Sequence, residues 1–470
     1  MTTIVRVITV PARGAYDVDD LAALQDHPLP PGERYMTPGV TPGFQWVREP
    51  GQALSVGLVL DTGQIAWGDC VAVAYSGKGG RAPVFRWEYG KQVVEEQIAP
   101  LLEGQPLDTF RKMTAEVERL TETVIIERPL PQRGEKLTRR ELFQSAASLL
   151  GDQPPRKKVE VTRTIHPAIR YGVSQALLQA FAIQDAISPC QVICRAWSLS
   201  LPEKPVPLHA QCGSDRFQGA EKMIARRIAS LPHALADNIP EQIGDNGVKL
   251  IRYIRWLKQR IQELGGKGYV PTLHLDVHGA LGIIHDQDLG QILGTLYALE
   301  QAADPFPLRI ESPLIMDSRE EQIETLRTLR EYVDFRKMNV QVVADEWANT
   351  LEDIQTFIDG KAAHMIQIKT PDLGGIQHSV DAVLACKAGG VEAFLGGSCA
   401  ETILSAQLTA ETALAARPAL LMAKPGMGVT EAISLTSNHM NRTLAELQLA
   451  RPGEEISQGS ENIPEKPADD

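Results

Sequence analysis

The chain has 470 residues, enough for a large hydrophobic core and for more than one domain. With 43% hydrophobic and 23% charged residues it has the composition of an ordinary globular protein, and its net charge of −12 disfavours nucleic acid and anionic membranes as partners. The charge does not exclude an anionic substrate, because a bound metal can invert the local field.

The N-terminus, MTTIVRVITVPARG, lacks the apolar run of a signal peptide. No stretch approaches the roughly 18 apolar residues of a membrane span. Cys70, Cys190, Cys194, Cys212, Cys386 and Cys399 form no CxxC pair and no zinc-ligand spacing. Buried thiols in a cytoplasmic protein are the expectation.

The first 100 residues read as strands and turns. Thr3–Val10 alternates and is rich in β-branched residues, and the pattern predicts a break at Pro11. Leu54–Leu60 and Gln64–Val71 flank Asp61-Thr62-Gly63, a hairpin signal. The Gly-rich stretch Tyr75–Pro83 lacks P-loop spacing. It reads either as a surface loop or as a lid over a site further along the chain. From Gly90 to Ala180 helical periodicity is expected to dominate, with solvated loops at Glu127–Lys136 and Gly151–Lys158. Arg170–Ile183 is an apolar helix carrying Gln175, which on its own would be an ordinary hydrogen-bonded core residue.

A repeating strand–helix pattern follows. Val206–Cys212 is the expected first strand and Gln218–Ser230 the first helix. Leu231–Leu235 is the second strand, carrying His233, and a helix at Gly247–Leu264 leads to a third strand ending in Asp276. LRIES, VQVVADE, HMIQIK, EAFLGG and ALLMAK supply strands four to eight, which makes a (β/α)8 TIM-type barrel. Thr430–Ala450 is a closing helix, and the polar, acidic, Pro-bearing residues 451–470 read as a disordered tail.

Asp276, Glu311, Asp345 and Lys369 each close an apolar run, and successive runs are spaced by about the 30 residues of one βα unit. All four therefore sit at the C-terminal strand ends, where a barrel keeps its chemistry. Three carboxylates at neighbouring strand ends repel one another unless a cation intervenes. Oxygen ligands from Asp276, Glu311 and Asp345 suit Mg²⁺, which keeps positions open for water or substrate. A lysine beside such an ion has its neutral form favoured and can serve as a base. Carboxylates, Mg²⁺ and Lys369 together describe removal of a proton α to a carboxylate, with the ion stabilising the enolate. His233, approaching from the opposite side, would be a second acid/base or a hydrogen-bond partner of the substrate carboxylate.

The blocks YGVSQALL, LPHAL, HLDVHG, LRIESP, VADEW, HMIQIKTPDLGG and KPGMGV resemble methylaspartate ammonia-lyases, members of the enolase superfamily. The resemblance covers almost the whole chain. It implies an N-terminal α+β capping domain at residues 1–165, the barrel at 166–430, and a C-terminal helix with its tail at 431–470. It also implies a homodimer, Mg²⁺ with K⁺ as monovalent activator, and reversible loss of ammonia from L-threo-3-methylaspartate to give mesaconate. By motif, Asp276, Glu311 and Asp345 match the metal ligands and Lys369 the base for the (2S,3S) substrate. His233 matches the acid/base of the opposite face, and with Gln367 it contacts the metal-bound carboxylate. Gln175 and the Ser398-Cys399 backbone match the pocket for the other carboxylate, Ser398 standing where the family often has threonine.

Three positions depart from that pattern. Ala74 replaces a glutamine near the substrate's amino group, Met422 a leucine beside the pocket, and His278 a tyrosine. Ala74 motivates an alternative, another enolase-type lyase, dehydratase or racemase acting on a related carboxylic or N-substituted amino acid. A binding protein on an inherited barrel is the third reading, opposed by the intact ligand set and base.

Overall fold

The computed structural model describes residues 1–20, 23–24, 29–30, 32–74, 79–129, 156–213, 215–236 and 238–449. The expected disordered tail and Tyr75–Lys78 of the Gly-rich stretch lie outside the described residues.

The chain opens with a three-stranded antiparallel sheet of β1 (Ile4–Asp19), β2 (Arg48–Leu60) and β3 (Ile65–Cys70). The hairpin joining β2 to β3 forms at Asp61–Gly63, where Gly63 N–H donates to Leu60 O at 2.9 Å. Strand β1 does not break at Pro11, which pairs with Leu54. β1 is an edge strand, and an edge tolerates a missing N–H that a central strand would not.

The expected run of helices is also interrupted. Helices Trp87–Val93, Phe110–Glu118 and Pro167–Asp185 form, but β4 (Thr121–Pro129) and β5 (Arg156–Thr164) pair antiparallel between them. TETVIIE and KVEVTRT carry the period-two, β-branched pattern of strands, which outweighed the surrounding helical periodicity. The ends of this ribbon occupy parts of the two segments expected as solvated loops, and residues 130–155 lie outside the described residues.

Eight parallel strands close the barrel: β6 (Leu208–His209), β7 (Ser230–His233), β8 (Thr272–Asp276), β9 (Leu308–Glu311), β10 (Val340–Ala344), β11 (Met365–Ile368), β12 (Glu392–Leu395) and β13 (Leu420–Met422). β6 and β7 are shorter than their apolar runs suggest, and the helix between them spans Arg216–Ala225. The strands are buried from both sides, so their sequences read as nearly continuous apolar runs. The helices outside show one apolar stripe each. Val248–Leu264 buries Leu250, Ile254, Leu257 and Ile261, at helical spacing. Side-chain caps fix where such helices begin: Ser318 accepts Glu321 N–H, and Thr350 and Asp353 form a capping box. Val429–Leu449 closes the barrel.

The helix Pro167–Asp185 joins the sheet to the barrel by lying directly on β3. A Cβ on Gly68 would meet Gly172 O at 2.1 Å, and one on Gly172 would meet Cys70 N at 2.5 Å, so this approach requires glycine on both sides. No single described helix is long and apolar enough to cross a membrane.

Candidate active site

Parallel register brings the first two acids together. Asp276 at the end of β8 is in register with Glu311 at the end of β9, and Leu275 with His233 at the end of β7. Asp345 follows β10 directly, and Lys369 follows β11. Gln367 sits inside β11, two residues before Lys369 and so on the same face. All of these side chains are buried, Glu311 completely.

The site divides into two linked groups. In the first, a carboxylate oxygen each of Asp276 and Glu311 and a ring nitrogen of His233 lie within 4.8 Å of one another. His233 Nε2 is 3.7 Å from Asp276 Oδ2, and its Nδ1, which has no hydrogen-bond partner among the described residues, is 3.9 Å from Glu311 Oε2. Gln367 donates its amide to Glu311 Oε1, and His274 Nε2 lies 2.7 Å from Glu311 Oε2. In the second group, Lys369 Nζ donates to Asp345 Oδ1, while Arg81 Nη2 reaches Asp345 Oδ2 at 3.4 Å and Glu346 Oε1 at 3.0 Å. Asp345 thus faces two cations, whereas no Lys or Arg among the described residues pairs with Asp276 or Glu311.

The electrostatics follow that division. Burial, then the charge of Asp345, pushes the Asp276 carboxyl up to about 8. Burial, then Asp276 and Asp345, holds the Glu311 carboxyl well above its ordinary range. Burial acts the same way on Asp345, but Lys369 and Arg81 outweigh it and draw the group below its ordinary value. Burial pushes His233 down to about 4, so its imidazole is neutral at pH 7. Two buried carboxylates with no Lys or Arg paired to them among the described residues, and beside them an imidazole nitrogen without a hydrogen-bond partner there, form a donor set that a hard divalent cation fits.

The capping sheet supplies a wall of the site. Arg81, from the described end of the Gly-rich stretch, reaches Asp345 and Glu346 from outside the barrel, with Asp372 3.7 Å from its Nε. Gly79 O accepts from Asn349 Nδ2 at 2.6 Å, and a Cβ on Gly79 would strike Glu346 Oε2 at 2.5 Å. The described end of this stretch thus packs against the residues that follow β10. Ala74 and Met422 also line the cavity.

Ser398 and Cys399 form the opposite wall, on the turn after β12. Ser398 N–H donates to Glu401 at 3.0 Å, and Glu401 in turn is held by Lys424, Tyr171 and Thr409. Lys424 belongs to the KPGMGV block and is 1% exposed, so a buried ion pair underpins this turn.

One expected residue is elsewhere. Gln175 is completely buried between the long helix and β3, where its amide bonds the Asp69 backbone at 3.2 Å in both directions. Besides Gln367, the glutamine that lines the cavity is Gln211, whose Oε1 accepts from the Cys399 thiol. It lies just beyond β6, so its strand-end place was the available signal, hidden because a glutamine draws less notice than an acid. Arg81, Glu346 and His274 were missed as well. Arg81 has no barrel periodicity to mark it, and Glu346 is masked by Asp345 beside it.

The family model described as methylaspartate ammonia-lyase N-terminus matches residues 2–198, and that described as methylaspartate ammonia-lyase C-terminus matches residues 200–449. Methylaspartate ammonia-lyase 2 of Carboxydothermus hydrogenoformans is 41% identical over 445 residues, covering 95% of this chain and 98% of its own. Among solved structures, Citrobacter amalonaticus methylaspartate ammonia lyase containing (2S,3S)-3-methylaspartic acid superposes with a TM-score of 0.83 at 37% identity, covering 95% of this chain and 100% of that one. The Mg complex of Clostridium tetanomorphum β-methylaspartase gives a TM-score of 0.79 at 37% identity, covering 96% of this chain and 100% of that one. The chain is therefore a member of the methylaspartate ammonia-lyase family.

Proposed function

We propose that the chain eliminates ammonia from L-threo-3-methylaspartate to give mesaconate, reversibly and with Mg²⁺. The observation that carries this reading is the pairing of a buried lysine with three buried carboxylates on consecutive strand ends. Asp276, Glu311 and Asp345 would hold the ion, Asp345 turning from Lys369 to do so. When bound, Mg²⁺ would supply positive charge where negative charge builds on the substrate carboxylate as the α-proton leaves.

The chain's own groups do the rest. Lys369, released from Asp345 and having given its ammonium proton to solvent, accepts the proton from C3 of the (2S,3S) substrate. The C3–H electron pair becomes the C2–C3 double bond, and the C2–N bond breaks with its pair leaving as ammonia. His233, neutral at pH 7 and on the far side of the cavity, orients the carboxylate with the Gln367 amide. It is also the base suited to a C3 proton on the opposite face. The Ser398–Cys399 turn would hold the other carboxylate.

Several finer points rest on the resemblance: activation by K⁺, a homodimer, and the division into a cap at residues 1–165, a barrel at 166–430 and a C-terminal segment at 431–470. A cytoplasmic setting suits the six thiols, none of them in a disulfide. Activity in K⁺ against Na⁺ would test the monovalent ion, and light scattering against a chain mass of 51.4 kDa the dimer.

The direct test is ultraviolet absorbance as the purified protein meets L-threo-3-methylaspartate with Mg²⁺ and then with EDTA. A rise that EDTA abolishes is expected, because mesaconate is conjugated and its precursor is not. A flat trace in both conditions would reject the substrate.

A further inference from the structure

The interior of a β/α barrel is ordinarily filled by branched apolar side chains. Here two of the buried side chains on the barrel strands are stacked imidazoles. His209 on β6 and His274 on β8 stack at 4.4 Å with their planes 27° apart, and Phe394 sets its edge against both at 5.2 and 5.4 Å. Both histidines are completely buried.

An imidazole in such a place is costly unless its nitrogens are bonded. His209 Nδ1 meets Ser230 Oγ at 3.0 Å, but His209 Nε2 and His274 Nδ1 have no partner among the described residues. The nitrogen that does have a strong contact is His274 Nε2, 2.7 Å from Glu311 Oε2. Two unsatisfied ring nitrogens in the core are tolerated around one well-made bond to a strand-end carboxylate.

The geometry points to His274 as a positioning residue for Glu311, fixing the direction in which that carboxylate presents itself to the divalent cation; this rests on Glu311 being a ligand. With Glu311 ionised, the hydrogen in the contact is on Nε2. Gln367 holds the other oxygen, Oε1. A carboxylate has about four lone-pair sites, so two neutral donors leave one on each oxygen for the cation and fix where those point. The His209 ring and Phe394 stop the His274 ring from tilting away. His274 and Asp276 are two residues apart on β8, so one strand supplies a ligand and the brace of its neighbour's ligand.

The test is calorimetric titration of Mg²⁺ into substrate-free protein, comparing wild type with His274→Leu, His274→Gln and His274→Asn. His274→Leu removes the donor, and its Mg²⁺ affinity is expected to fall about 10- to 100-fold. The longer amide of His274→Gln can still reach Glu311 and should keep affinity within about threefold of wild type, while the shorter amide of His274→Asn should not. Melting temperatures in EDTA show which variants fold. If His274→Leu does not fold, the contrast between the two amides carries the test. A folded His274→Leu or His274→Asn with wild-type Mg²⁺ affinity would overturn the assignment. Wild-type protein that binds no Mg²⁺ at millimolar concentration would instead overturn the cation site itself, and this role with it.

Discussion

Lys369 and Asp345 meet across neighbouring strand ends, Nζ donating to Oδ1, with the two side chains only 8% and 4% exposed. The proposed base and a proposed metal ligand therefore occupy each other. For Asp345 to take a cation, Lys369 must let go, and its ammonium must also give a proton to solvent before it can accept one from a substrate.

Replacing Lys369 by methionine separates the two roles. Activity should fall by at least about 10²-fold, the contribution of a positioned base. Mg²⁺ affinity should not weaken, since a competitor for Asp345 is gone. Calorimetry beside the activity assay checks both, and weakened binding in Lys369→Met would mean that the ammonium supports the ion rather than competing with it.

Arg81 ties the capping segment to Asp345 and Glu346 and is buried with them. Arg81→Met leaves Glu346 without its arginine and Asp345 with Lys369 alone, at a cost of about 3–5 kcal/mol in the metal-free protein. A divalent ion restores part of that charge, so Mg²⁺ should raise the melting temperature of Arg81→Met more than that of wild type. Equal increments would show that Arg81 and the cation site are electrostatically independent.

His166 provides a pH dependence away from the cation site. Its Nε2 lies 2.9 Å from Pro83 O, while Nδ1 accepts Ala168 N–H at 3.1 Å, so the neutral ring is satisfied and an added proton would face a donor. Burial pushes the imidazole down to about 4, against the opposing pull of the Pro83 carbonyl. Between that value and about 6.5 the unfolded chain binds the proton and the folded chain does not. Stability is therefore complete above about 6.5 and declines as pH falls toward 4, by about 2 kcal/mol at pH 5 from this group. His166→Asn, which can still cap the helix, should flatten that part of the profile in urea titrations. An unchanged slope would rule out His166 as its source.

Ala74 sits in the cavity wall with only a methyl group, where the resemblance places a glutamine. Ala74→Gln should therefore cost more activity on an N-methylated 3-methylaspartate than on the free amine, by about tenfold or more. A parallel loss on both substrates would remove Ala74 from amine selection.

The barrel and its acidic strand ends were legible because both depend on local pattern: apolar runs of strand length, each followed by one charged residue. Asp276, Glu311, Asp345 and Lys369 stand at neighbouring strand ends as that pattern implies, and Gln367, named only by the resemblance, lies beside Glu311. The β4–β5 ribbon was hidden by helical residues on either side, and Pro11 misled because edge position is not written locally. Gln175 shows the limit of reading a site by motif. Its helix is where the YGVSQALL block places it, but its amide is engaged with the Asp69 backbone, while Gln211 faces the cavity. Arg81 could not be found by spacing at all, because it enters the site from another part of the fold.

The central claim is that Lys369 takes the C3 proton. Its most direct test is exchange of the C3 hydrogen of (2S,3S)-3-methylaspartate with deuterium in D₂O, followed by NMR with Mg²⁺ present. The account predicts exchange with wild type, none with Lys369→Ala, and residual exchange with His233→Ala. Full exchange by Lys369→Ala, folded and binding Mg²⁺, would contradict it.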